Sequence, residues 1–335
     1  MAARKSESRI PTGFQASDLG QAVVAADGRC ALVSFITSPL VIDRQNIYAL
    51  FVMDPALAAA AHTFEWKFVE TEGAAETDVT QEGQISYRPQ TVGGLNVTVR
   101  ILDIGGTEAS KVTLDQEILP LNKELETRIW SKQSEPGPLV GNTDVARELV
   151  NDHNPYYQGV APKAAEEGDA FRQLVFGLVN NGALNCALLE RERQINKVAA
   201  SLNGDDYDFP NLIGSGIGVC GIRLPLLAMT LPESAGSNTF VKWTELPERA
   251  VERSLAVSRL LQACADLAQP VRIDLFNLLR FPKSNIAQCG RLVELLRDRF
   301  FPGTPFQDII TGMSGTRANW IVKNFREGPL QRGAS

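Results

Sequence analysis

The sequence predicts an α+β chain of two differently built parts, an antiparallel β-sandwich followed by an all-α helical domain. Three observations predict it. In Thr63 to Val69, Phe64, Trp66 and Phe68 alternate with Thr63, Glu65 and Lys67, the two-residue period of a strand with one buried face. In Leu95 to Leu102, Leu95, Val97, Val99 and Ile101 alternate with Asn96, Thr98 and Arg100 in the same way. From Glu117 onward the apolar residues recur at three- and four-residue steps, the period of a helix. Clean alternation points to an antiparallel sheet, because strands of parallel sheets are covered on both faces and read as continuous apolar runs.

Taken in order, Met1 to Gly20 is polar and marked by Pro11 and Gly13, so residues 1–21 read as an N-terminal arm that docks on a partner or stays mobile. The sandwich is assigned to residues 22–118. Its early strands are the apolar, β-rich runs Cys30 to Ile36 and Ile47 to Met53, set apart by Thr37-Ser38-Pro39 and Asp43-Arg44-Gln45-Asn46. Alanine-rich Ala56 to Ala61 fits a single helical turn between strands. From Glu117 to Trp130, Ile118, Leu121, Leu125 and Ile129 predict a helix leaving the sandwich. Ser131 to Asn142, with Pro136-Gly137-Pro138 and Gly141, is the clearest linker in the chain. Residues 119–141 are therefore helix and linker.

Residues 142–335 read as the helical domain. Thr143 can cap a helix through Val150, and residues 165–179 and 183–202 are amphipathic runs, the second stopped by Asn203-Gly204. Pro247 to Ala268 predicts the longest helix, with a proline in its first turn and Pro270 beyond its end. Ser284 precedes a helix with Ile286, Cys289, Leu292, Val293, Leu296 and Phe300 on one face and Pro302-Gly303 as its stop. Ser314 starts another that carries Trp320, Ile321 and Phe325 and ends at Gly328-Pro329. Short connections predict packed antiparallel neighbours, and no fixed-period repeat suggests a solenoid.

The strand Phe64-Glu65-Trp66-Lys67-Phe68, the corner Tyr87-Arg88-Pro89 and the strand Gly94-Leu95-Asn96-Val97-Thr98-Val99 closing on Asp103 together resemble a PKD-type, immunoglobulin-like domain. The resemblance runs from about Ala22 to Gln116. Where such domains carry a Gly-Asp-Gly turn after the tryptophan strand, this chain has Val69-Glu70-Thr71-Glu72-Gly73. It implies a spacer or adhesive module and no catalytic chemistry. An Ig-like module on a chain that starts without a signal peptide is similar to accessory parts of phage tails and contractile injection machines. The implied role is a structural or adaptor protein of such an assembly.

At 335 residues, 44% hydrophobic and 21% charged, the chain has room for two cores of ordinary size. The net charge of -6 is unevenly placed: through Ile118 there are 9 Lys+Arg against 15 Asp+Glu, and the remainder has 24 of each. An acidic β part is a poor binder of phosphate backbones, which are held by Lys and Arg. The 5 cysteines, Cys30, Cys186, Cys220, Cys264 and Cys289, form no CxxC pair and read as reduced core residues of a protein made in the cytoplasm. The start MAARKSESRIPTGFQ has no apolar segment after its charges, unlike a secretory signal. A place in a released or virion-like particle would fit the resemblance.

Candidate chemistry is sparse. There are 2 histidines, His62 and His153. His153, beside Asp152 with Tyr156 and Tyr157 nearby, is the one an acid–base mechanism would use, although a helix end before Pro155 explains it as well. Glu190, Glu192, Asp205 and Asp208 are the carboxylates available for glycoside hydrolysis, which makes a cell-wall or glycan hydrolase the enzymatic alternative. Asp205, Asp206 and Asp208 share a loop whose spacing suits a calcium ion only weakly; a solvated turn is the default. Gly216-Ile217-Gly218-Val219-Cys220-Gly221 matches GxGxxG but has Pro225 close behind it and lacks the distal acid, so it reads as a tight backbone passage. Gly312-Met313-Ser314-Gly315 falls short of a nucleophile elbow and reads as a helix start. No cofactor or metal is expected. The nearly all-apolar segment 212–231 is long enough for a bilayer, but Arg223, Pro225 and its glycines favour a buried core segment over a membrane-active one. Arg280, Lys283, Arg291, Arg297, Arg299, Trp320 and Lys323 mix cations with an aromatic and read as a protein interface, for a partner or another copy, ahead of a nucleic-acid surface.

Overall fold

The computed structural model describes residues 9–36, 38–43, 45–121, 171, 174–175, 178, 216–218, 220–228, 269–311, 317–318 and 321. They form a mixed α+β structure with several antiparallel sheets and helices toward the C-terminus. The described residues divide into two compact units: one holds residues 9–121 and the segment Phe281–Ser284, the other holds the rest. The linker expected at Ser131 to Asn142, the helices at 143–150, 183–202 and Pro247 to Ala268, and the continuation of the Glu117 helix past Leu121 lie outside the described residues.

In chain order the first unit contains α1 (Ala16–Leu19), β1 (Gln21–Val24), β2 (Cys30–Ser34), β3 (Leu40–Val41), β4 (Asn46–Val52), α2 (Pro55–Ala60), β5 (Thr63–Glu70), β6 (Glu76–Thr80), β7 (Gln84–Tyr87), β8 (Gly93–Leu102) and β9 (Glu108–Leu119). Four strands pair antiparallel in the order β1-β2-β4-β7, and five in the order β3-β9-β8-β5-β6. Only the short β3 runs parallel to its neighbour, with Leu40 opposite Ile118 and Val41 opposite Leu119. Both sheets contribute to one apolar cluster: Cys30, Leu32, Tyr48 and Leu50 from the first, Phe64, Trp66, Phe68, Val97, Val99 and Leu114 from the second.

The strand patterns explain this arrangement. β5, β8 and β9 alternate buried with more exposed residues along their length, so one face enters the cluster and the other meets water. β2 is buried at every residue, as are the first six residues of β4. Such strands need cover on both faces. Part of that cover comes from Phe281, whose ring centroid lies 4.2 Å from that of Phe35 and 5.7 Å from that of Phe51. Nearby, Lys283 Nζ donates to the Ser17 carbonyl oxygen at 2.6 Å.

Two expectations change here. Residues 11–20, read as part of an arm, are folded onto the unit: Pro11 is buried, and α1 buries Ala16 and Leu19. Two apolar side chains on one helical turn are enough to anchor a polar segment. Ile118, read as the start of a helix, closes β9 instead, paired with both Leu40 and Gly93. The two-residue period runs on through Ser110, Val112, Leu114, Gln116 and Ile118, all buried; polar Gln116 at an inward position breaks the apolar pattern in the sequence. The single turn expected at Ala56 to Ala61 is α2, capped by Asp54, which accepts from Ala56 N at 2.7 Å and Leu57 N at 3.1 Å.

The second unit contains β10 (Gly216–Ile217), β11 (Ile222–Arg223), α3 (Leu224–Ala228), α4 (Gln269–Arg280), α5 (Pro282–Phe300) and α6 (Phe306–Thr311), the first turn of α5 being counted with the first unit. Pro270, expected just beyond the end of a helix over Pro247 to Ala268, lies in α4. Ser284, expected before a helix, lies within the first turn of α5, which begins at Pro282. The apolar face predicted for α5 is buried at Ile286, Cys289, Leu292, Val293 and Leu296, and Pro302-Gly303 follows its end. Of the run 165–179, Phe171, Leu174, Val175 and Leu178 are helical and buried at one-face spacing. Phe171 packs on Phe306 with centroids 4.9 Å apart.

Candidate functional site

The most organised surface among the described residues is the outward face of β5, β8 and β9. Strand register sets it out in rows: Glu65 opposite Arg100 opposite Lys111, Lys67 opposite Thr98 opposite Thr113, and Val69 opposite Asn96 opposite Asp115. Alternation makes every one of these the outward partner of a core residue. The rows are tied across strands. Arg100 Nη1 donates to Glu65 Oε1 and its Nε to Glu108 Oε2, both at 2.6 Å. Thr98 and Thr113 hydroxyls lie 3.0 Å apart, and Asn96 Nδ2 donates to Asp115 Oδ1 at 2.7 Å. The hydrogen bond to Glu108, then that to Glu65, holds the Arg100 guanidinium even more firmly protonated than usual. At the sheet edge β6 is exposed almost throughout, with Val79 beside Glu65 and 56% exposed. The face therefore mixes both charge signs with open edge backbone.

Behind it, β9 is fixed to three other strands by a buried polar group. Gln116 Oε1 accepts from the Tyr48 hydroxyl at 2.7 Å, while its Nε2 reaches Gln21 Oε1 at 2.8 Å and Ser34 Oγ at 3.1 Å. Asn46 Nδ2 donates to Ser34 Oγ at 2.7 Å, and its Oδ1 accepts from Ile36 N at 3.0 Å. Every polar atom of such a group must find a partner because desolvation is costly. A second clamp ends β5: the buried Glu70 carboxylate accepts from the Tyr87 hydroxyl at 2.7 Å, Gln90 N at 2.8 Å, and Thr91 N and Oγ1 at 2.6 and 2.5 Å.

In the second unit, the GxGxxG stretch, expected as a tight backbone passage, contains a short hairpin. β10 and β11 pair antiparallel, with Ile217 opposite Ile222. Asn285 of α5 holds it: Nδ2 donates to Ile217 O at 3.0 Å and Leu279 O at 2.8 Å, and Oδ1 accepts from Cys220 N at 2.8 Å. Gly218 has φ +72, and a Cβ there would collide with the Leu279 carbonyl oxygen and the Asn285 side chain. The glycine thus serves a close backbone approach. Gly218→Ala should destabilise this unit by more than about 1 kcal/mol, since backbone strain and the clash add; thermal unfolding followed by circular dichroism checks it. The same hairpin and the five-residue α3 interrupt the apolar stretch 212–231. Among the described residues no helix is long and apolar enough to cross a membrane.

Of the residues proposed from sequence as an interface, Arg280 is buried at the end of α4 with its guanidinium 5.3 Å from the Phe276 ring centroid. Lys283 is half-buried and bonded to Ser17. Arg291 is exposed on α5. Arg297 lies 4.5 Å from the Phe306 centroid and bonds Asp298 through Nε at 2.8 Å. Arg299 is in α5, its side chain outside the description, and Trp320 and Lys323 lie outside the described residues. So do His153, Glu190, Asp205, Asp206 and Asp208. Among the described residues no group of three or more His, Cys, Asp or Glu is placed to hold a metal ion. Sequence reasoning passed over the Glu65, Arg100 and Glu108 cluster; the signal was present as the polar phase of strands chosen for their apolar phase.

Compared with known proteins, the chain matches no family model and no curated protein.

Proposed function

We propose that residues 22–118 form an immunoglobulin-like β-sandwich of PKD type, followed by a helical domain, and that the chain is a non-catalytic structural or adaptor protein working through protein–protein contacts. An accessory part of a phage-tail-like or contractile injection assembly is the setting the resemblance favours. The observation that carries the reading is the outward face of the five-stranded sheet. Its Arg100, Glu65, Glu108, Asn96 and Asp115 side chains already hold each other in cross-strand pairs. A partner meeting this face has little side-chain freedom left to remove, and rigid polar groups of both signs give register and selectivity.

The test is capture from an extract of the native cell, with size-exclusion and light scattering on the same preparation. Wild type should co-purify with a defined protein partner or with itself. Arg100→Ala combined with Lys111→Glu should weaken that association by about tenfold or more, while leaving stability within about 1 kcal/mol, as exposed ion pairs do. A monomer that captures nothing, or unchanged capture by the double variant, defeats the reading. Release of sugar from peptidoglycan by the wild-type protein would favour the hydrolase alternative instead.

A further inference from the structure

We propose that Asp78 guards the open edge of the five-stranded sheet, keeping β6 from pairing with β6 of a second copy of the chain. β6 ends the strand order β3-β9-β8-β5-β6, so among the described residues only β5 pairs with it. Register settles which of its backbone groups face outward. Thr71 N donates to Gly94 O at 2.9 Å, a bond between residues that continue the β5–β8 register, in which Glu70 stands opposite Leu95. Hydrogen-bonded pairs alternate along antiparallel strands. The odd-numbered residues of β5 therefore bond to β8, and Phe64, Trp66 and Phe68 bond to Thr80, Asp78 and Glu76. Thr77 and Val79 are left with N–H and C=O groups directed away from the sheet.

Such an edge is a template. Thr77, Val79 and Thr80 are strand-forming residues, β6 is exposed at every residue from Glu76 to Val79, and unpaired edges of this kind recruit other chains. Two features of Asp78 oppose this. Its Oδ1 accepts from the Val79 N–H at 2.7 Å, so one of the two outward donors is already taken by the neighbouring side chain. Its carboxylate also belongs to the inward side of the strand, opposite buried Trp66, yet it is exposed. An inward-pointing charge at an edge keeps its water only while the edge stays open.

Self-pairing would bring these charges together. For two copies related by a two-fold axis, the outward groups of Thr77 meet those of Val79 in the other copy, which is the register that engages the whole strand. It sets Asp78 directly opposite Asp78 of the second copy, in the closer, non-hydrogen-bonded type of pair, with Cα atoms about 4.5 Å apart. Like charges directly opposed destabilise a sheet. Residues 71–83 add Glu72, Glu76 and Glu82 and contain neither Lys nor Arg.

The experiment is sedimentation velocity over a range of concentrations on full-length wild type, on Asp78→Thr, and on Asp78→Thr combined with Thr77→Pro. Asp78→Thr removes the charge and keeps a strand-forming residue. It should associate about tenfold or more tightly than wild type, with amide exchange of the segment 76–80 slowing as the oligomer forms. Thr77→Pro should undo that association, since proline takes away an outward N–H and leaves the bonds to β5 in place. Both variants should keep the wild-type circular dichroism spectrum, because the two positions are exposed. Asp78→Thr with the association state of wild type overturns the proposal, as does association that Thr77→Pro leaves intact or that accompanies a changed spectrum. Asp78→Thr should act in the same way on the Arg100→Ala, Lys111→Glu background, so a failure of the edge guard and a failure of the outward face as an interface are read separately.

Discussion

Replacing Trp66 by alanine is expected to unfold the first unit at moderate denaturant. Trp66 has no solvent exposure, lies in the cluster shared by both sheets, and donates its indole N–H to Thr80 Oγ1 at 2.9 Å. Truncation removes the largest side chain of that cluster and leaves a void that rigid strands on both sides close poorly. Such changes cost about 3–5 kcal/mol, a large share of the ~5–15 kcal/mol that holds a domain together. Urea unfolding of the full chain, followed by circular dichroism, should show a much lower first midpoint. Trp66→Phe keeps most of the buried area and loses the hydrogen bond, so its midpoint should fall between the two. A Trp66→Ala protein with the wild-type midpoint would refute the shared core.

The second large effect is at Glu70, where Glu70→Gln should cost about 3 kcal/mol at neutral pH. A carboxylate accepts hydrogen bonds more strongly than an amide oxygen, and four donors from residues 87–91 converge on this one. Burial by itself would raise the carboxyl, but the Thr91 hydroxyl, Gln90 N–H and Tyr87 hydroxyl outweigh it and hold it below the ordinary value of 4.5. The folded state therefore binds its proton less readily than the unfolded chain. The stabilisation is complete above the unfolded value and is lost as pH falls through the lower folded one. The gap in stability between wild type and Glu70→Gln should be wide at pH 7 and should narrow as pH falls below the ordinary carboxyl value of 4.5. A gap that stays constant with pH would mean that the ionised form of Glu70 contributes nothing.

The sequence conveyed the first unit's strands where a single periodicity governed them. Phe64, Trp66 and Phe68, and Leu95 through Ile101, announce their faces because one side meets water. β9 was partly hidden because Gln116 points inward, satisfied by Tyr48, Gln21 and Ser34, which are distant in sequence and impossible to read as its partners. β10 and β11 have two residues each, too few for any period to register, and their glycines were legible only as a motif without context. The residues of the candidate face were all visible as the polar half of the alternation. What periodicity could not supply was register: only pairing of β8 with both neighbours places Arg100 between Glu65 and Glu108. Charge and aromatic content drew attention to α4 and α5 instead, where Arg280 turned out to be buried and Lys283 to be bonded to Ser17.

The ring of Phe281 on Phe35 and Phe51 carries a consequence for synthesis. Those two phenylalanines leave the ribosome early, yet the residue that lies on them follows only after most of the chain has been translated. During that interval the nascent sheet presents greasy surface to the cell, a state in which chaperones or neighbouring nascent chains would find it. A fragment cut after β9 keeps that surface permanently, and should precipitate more readily than the intact protein.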